Sequence, residues 1–181
     1  MASDAKDTSA LRLANLDQTA LVRWIYAGLA IPEVRSLYGD AGYLLSNMVA
    51  KYSLAASFYH VSEQALASLQ SQQFDLKKIY SRSYFYGKKK PFIFEHAIPA
   101  SIVRDRLLKF SSSMESIREI LDASGPVAII LREEDALLTE KGLRKSMPHS
   151  WQWGDNPLAR YEHVGIKISS HMMNVDGKIK R

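Results

Sequence analysis

Cysteine is absent from the 181-residue chain. That removes disulfides, thiolate zinc sites and thiol nucleophiles together, and it suits a reducing cytosol, the expected location. Glycine is scarce, at nine residues, and none falls in the spacing of a P-loop, a dinucleotide-binding turn or a Gly-x-Ser-x-Gly elbow. Long apolar runs are missing too. The longest stretches between charged side chains, 52–62 and 64–74, are 11 residues each, so neither a membrane span nor a membrane partner is expected. Near the start, Asp4 and Asp7 stand where a signal peptide carries basic and then apolar residues, and secretion by that route is not expected. No two histidines have the spacing of a helical zinc site. The chemistry left open is that of acids, bases, hydroxyls and hard cations.

What is present is a foldable chain: 46% apolar side chains, 24% charged, and three Trp, nine Tyr and six Phe. A chain of this length buries about 70% of the surface its unfolded form exposes, enough for a proper core. The pattern predicts an α+β protein. Residues 1–8 read as a flexible N-terminus and 9–165 as one α+β domain, with 9–72 helical and 77–165 a hairpin plus a mixed part. The stretch 166–181 reads as a tail or an edge strand. Within this, Leu11 to Leu29 suggest helix over 9–30, interrupted near Asn15 to Asp17. Leu45, Met48, Val49, Tyr52, Ala56, Tyr59, Leu66 and Leu69 recur at threes and fours, predicting one long amphipathic helix over 41–69. Its small residues, Ala50, Ser53, Ala55, Ala56 and Ser57, would allow close packing with a second copy in a homodimer. Pro99 opens a further helix, Ser112 to Glu115 has capping-box spacing, and PVAIIL (126–131) reads as a buried strand. Glu133 to Lys141 and Asn156 to Gly165 complete the helices.

Net charge is +5, and its placement matters more than its size. Lys77, Lys78, Arg82, Lys88, Lys89 and Lys90 fall in one 14-residue window without an acid, and outside it 18 bases face 19 acids. Tyr80, Tyr84, Phe85 and Tyr86 alternate with these bases. Strand formers on both sides of Gly87 predict a β-hairpin, 79–86 with 92–97, and the lysines near its tip. Period two would set Tyr80, Arg82, Tyr84 and Tyr86 on one face. Rings beside cations suit a phosphate backbone with stacked bases, DNA or RNA. The alternative use of such lysines is to keep a strand edge soluble.

Two places could carry chemistry. Glu95-His96 ends the second hairpin strand, where a His can act as general base and a Glu can hold a magnesium-type ion. The run 151–165, WQWGDNPLARYEHVG, gathers two Trp, Asp155, Asn156, Arg160, Tyr161, Glu162 and His163. Arg160 there could meet phosphate. Equally, the Trp rings could anchor the segment, Asn156 could cap, and Arg160 could pair with Glu162 or Asp135.

The context EHAIP around His96, with Asn156 and His163 seven apart, resembles nucleases of the HNH (ββα-metal) family. The resemblance implies His96 as the base that activates water, Asn156 as a loop-orienting residue and His163 as a metal ligand, with Mg2+ or Mn2+ bound. Sixty residues separate His96 from Asn156, where the family usually has a short hairpin. Glu133, Glu134 and Asp135 after the buried strand, with Glu162 and Lys167, resemble more faintly the carboxylate–lysine sites of restriction-type enzymes, which would make Glu133 a metal ligand. The expected function is therefore nucleic-acid binding, sharpened to metal-dependent cleavage with His96 and Glu95 at the centre. The rival expectation is a non-catalytic regulator or inhibitor whose basic hairpin engages an acidic partner protein.

Overall fold

The computed structural model describes residues 17–75, 79–85 and 90–176. The architecture is α+β, a helical layer beside a mixed sheet. Helix α1 (Gln18–Ala30) begins where the Asp17 carboxylate accepts the Thr19 N–H at 2.9 Å, the usual way to satisfy an orphan donor. Leu21, Val22, Ile25 and Leu29 line its buried stripe. Pro32 starts α2 (Pro32–Asp40) at its first turn, where the missing N–H costs nothing. A Cβ at Gly28 would run into the Tyr38 ring, so a glycine there lets α1 and α2 close on each other. With α3 (Tyr43–Leu54), α6 (Ala100–Phe110) and α7 (Met114–Asp122) they enclose one core of Leu45, Val49, Tyr52, Val103, Leu107, Ile117 and Leu121.

Strands β1 (Phe58–Ser62), β2 (Tyr80–Ser81), β3 (Phe92–His96), β4 (Val127–Leu131) and β5 (Ile168–Asp176) form the sheet in the order β2–β5–β1–β4–β3. The central pair, β1 and β4, is parallel, while β5 and β3 flank it antiparallel. One face, with Tyr59, Val61, Ile129 and Met173, is covered by α4 (Glu63–Ser71) and by Phe74 and Phe85, the latter ending the short helix α5 (Arg82–Phe85). The other face, with Ala128 and Ile130, packs on Leu138 of α8 (Arg132–Glu140), Leu143, and Tyr161 of α9 (Ala159–His163). Both strand-to-helix junctions are locked by one contact. Ser62 accepts the Ala65 N–H and donates to the Glu134 carboxylate at 2.6 Å, and Glu134 in turn accepts the Leu131 N–H at 2.8 Å.

The later elements match their sequence signals. Pro99 precedes α6, β4 is buried on both sides, and Gly142 ends α8 with a positive φ. The capping residue of α7 is Ser113 with Ser116, one position past the predicted box.

Three expectations are corrected. The long helix over 41–69 is two helices separated by β1. Phe58 to Ser62 alternates, with Tyr59 and Val61 wholly buried, and pairing with β4 outweighs the local helical spacing. Leu45, Val49 and Tyr52 are spent inside the helical core, so the continuous dimer face does not exist. The hairpin also does not form: β2 lies parallel to β5, and β3 pairs with β4. Finally, β5 is not an edge strand, because β1 and β2 flank it. Residues 1–8, and Lys77, Lys78, Tyr86, Lys88 and Lys89, lie outside the described residues. Among those described, no helix is long and apolar enough to cross a membrane.

Candidate functional site

Arg160 and Glu95, predicted for different tasks, meet. The Arg160 side chain is 0% exposed. Its Nε donates to the Ala97 carbonyl at 2.9 Å and its Nη1 to those of Leu143 at 3.0 Å and Arg144 at 3.4 Å. Its Nη2 meets the Glu95 carboxylate and the His96 carbonyl. Every guanidinium nitrogen is thus engaged within the protein. Arg160 is a buried tie between α9, the end of β3 and the loop at 143–144, not a phosphate ligand. Tyr161 adds a hydrogen bond from its hydroxyl to the Glu95 carbonyl at 3.3 Å. Burial pushes the Glu95 carboxyl above its ordinary value, with the Arg160 charge opposing.

His96 sits at the end of β3 with Nδ1 buried and without a hydrogen-bond partner. Burial first, and the Arg160 charge second, push its pKa down to about 4, so the ring is neutral at neutral pH. The strand paired with β3 is β4, reached through α6 and α7 rather than a short turn. Glu133 is exposed in the first turn of α8, and His163 is exposed at the end of α9. Among the described residues, no three His, Asp or Glu side chains are grouped to hold a metal ion. Asn156 does not cap α9, whose N-cap is Leu158 without a side-chain cap bond; its Oδ1 accepts the Leu158 N–H at 3.0 Å and its Nδ2 donates to Glu162 at 2.8 Å. Trp151 and Trp153 pack edge to face, 6.2 Å apart, against the helical core. The segment 151–166 is thereby a strap joining the helical layer to the sheet.

The basic window is held at both ends. Phe74 stacks on Tyr80 with centroids 3.6 Å apart, and Tyr84 and Phe85 complete a four-ring cluster. Phe85 is sealed at 1% exposure, whereas Tyr84 is 37% exposed, with the Lys90 ammonium 5.0 Å from its ring centre. That is a cation–π distance. At the far end, Arg132 bonds the Lys90 carbonyl through Nε and the Pro91 carbonyl through its N–H, both at 2.8 Å.

A cleft of about 620 Å³ opens at the start of β5. His60, Glu63, Glu162, Lys167 and Ser170 line it with an apolar part from Leu158, Ile166 and Ile168. Gly165, at φ 78°, turns the chain from α9 into this wall. Opposite β1 the register of β5 slips between His60 and Ser62, a bulge of the kind that re-aims side chains beside sites. The His60 Nδ1 is buried without a partner, and burial lowers its pKa. A helix over 41–69 would not single out His60. The alternation Phe58-His60-Ser62 against Tyr59-Val61 was the available signal.

No family model, curated protein or solved structure matches this chain.

Proposed function

We propose that the protein binds nucleic acid through the basic window 77–90. The observation that supports this is the concentration of six cations without an acid in a chain otherwise near neutrality. The half-open ring of Tyr84, beside the Lys90 ammonium, supplies a stacking surface next to charge. Binding is the form the geometry favours. The cleavage form, with His96, Glu95, Glu133 and His163 serving Mg2+ or Mn2+, would require Glu95 to leave Arg160 and His96 to reach solvent.

The test is fluorescence polarisation with labelled single-stranded and duplex DNA and RNA across a salt series. If all six cations pair with phosphates, log Kd changes with log salt by a slope of about 4 on single strands and about 5 on duplex. Reversing charge at Lys88→Glu, Lys89→Glu and Lys90→Glu together should remove roughly half that slope. Salt-independent binding, or a triple variant that binds as before, overturns the proposal. Adding Mg2+ or Mn2+ to the same mixtures reads cleavage directly, and cleavage that persists in His96→Ala removes His96 from that role.

A protein partner is the second reading, favoured by the exposure of Trp24 at 59% and Tyr43 at 66% on α1 and α3. Aromatic side chains open to solvent are what interfaces use. Capture of a partner that survives nuclease treatment and fails with Trp24→Ala and Tyr43→Ala would favour it.

A further inference from the structure

The cleft at the start of β5 has a composition unlike the rest of the molecule. Its ionised groups are two carboxylates, Glu63 and Glu162, and one ammonium, Lys167, so it carries a net negative charge on a chain of net charge +5. The Glu162 carboxylate is held in place, and the backbone that carries Glu63 is anchored. Asn156 Nδ2 holds one Glu162 oxygen at 2.8 Å, and the Glu63 N–H is fixed to the Lys167 carbonyl at 2.9 Å. Leu158, Ile166 and Ile168 give the cleft an apolar wall. His60 also lines it, with its Nδ1 closed off from solvent. Concave, largely apolar sites with a few convergent polar groups are where small molecules bind.

The charges decide the class of ligand. An anion would meet two carboxylates for one lysine. A wholly apolar ligand would leave both carboxylates stripped of water. A metal ion lacks a grouped set of ligands among the described residues. An organic cation satisfies all three constraints.

We propose that this cleft binds a small organic amine, its ammonium received by Glu63 and Glu162 and its apolar body lying on Leu158, Ile166 and Ile168. The site is separate from the basic window and does not depend on nucleic-acid binding. Burial lowers the pKa of the neighbouring His60 imidazole, so the ring does not repel the ammonium at neutral pH. Glu63 and Glu162 are exposed, so replacing them leaves the core untouched.

Isothermal titration calorimetry with the full chain, at pH 7.5 and low salt, tests this with three probes. Tyramine carries an ammonium, a ring and a hydroxyl. The same body without the ammonium is 4-ethylphenol, and 4-hydroxyphenylacetate is an anion of comparable size. Tyramine should bind saturably with one-to-one stoichiometry, 4-ethylphenol at least tenfold more weakly, and the anion more weakly still. Glu63→Gln with Glu162→Gln should weaken tyramine at least tenfold. The charge reversal at Lys88, Lys89 and Lys90 should leave tyramine binding unchanged, which separates this proposal from the nucleic-acid reading. Failure of tyramine to saturate at millimolar concentration overturns it. Equal binding of 4-ethylphenol, tighter binding of the anion, or an unaffected double-glutamine variant does so too.

Discussion

Replacing Arg160 should damage this protein more than replacing any exposed cation in the basic window. Arg160→Met keeps the length and much of the volume of the side chain while deleting the guanidinium. It leaves the Glu95 carboxylate without its ion-pair partner in a mostly buried place and strips a partner from the carbonyls of Ala97, His96, Leu143 and Arg144. Removing one member of a buried ion pair costs about 3–5 kcal/mol. Domains of this size hold about 5–15 kcal/mol in total, so the variant loses a large share of its stability. At roughly 2–4 °C per kcal/mol, Tm should drop by about 6–20 °C. Chemical denaturation followed by Trp fluorescence is a suitable assay, because Trp151 and Trp153 lie on the same strap. Two further readouts identify the cause. Glu95→Gln in the Arg160→Met background removes the orphaned charge and should recover part of the loss, a coupling of about 1–3 kcal/mol. Lowering the pH should act in the same direction. Burial already raises the Glu95 pKa, and without Arg160 only the Arg144 charge still opposes it, so the carboxyl takes up a proton more readily and Arg160→Met is less destabilised near pH 5 than at pH 7.5. A loss below about 1 kcal/mol, or strictly additive effects of the two substitutions, would refute the reasoning.

Two other outcomes follow from buried groups. His96 is held near pKa 4, against 6.5 for the ordinary imidazole, so the unfolded chain binds a proton that the fold refuses. Its contribution is complete above pH 6.5 and is lost as pH falls towards 4, about 3 kcal/mol in all. Denaturation at several pH values should show His96→Gln losing less stability than the parent over that window. Glu95 and His60 titrate in both proteins and largely cancel, and identical pH slopes would contradict the assignment. Ser62→Ala removes the cap of α4 and one partner of the Glu134 carboxylate. It should cost about 2–3 kcal/mol by urea titration, whereas a loss under about 0.5 kcal/mol would show the junction to be unimportant.

Much of the second half of the chain was legible without coordinates, because its signals are local. Pro99 before α6, the β-branched run of β4 and the glycine after α8 each act through their own backbone conformation. Gly125, at φ 80°, lies just past the end of α7, where its packing was hidden. A Cβ there would lie 2.6 Å from Pro157 and 3.2 Å from Ala97, a constraint that arises only when the strap crosses the sheet.

The amino-acid order alone determined the α+β class, the lack of thiol chemistry and the crowding of cations into one window, since each is a matter of composition or nearest neighbours. Tertiary structure decided what no local pattern carries. It turned Phe58–Ser62 from helix to strand by offering β4 as a partner, and it drew Arg160 from the surface to the Glu95 carboxylate. It also assembled the His60 cleft from β1, α4, α9 and β5. The physical reason is the same in each case: burial and pairing energies belong to residues far apart in sequence, and they outweigh the propensity of any single stretch.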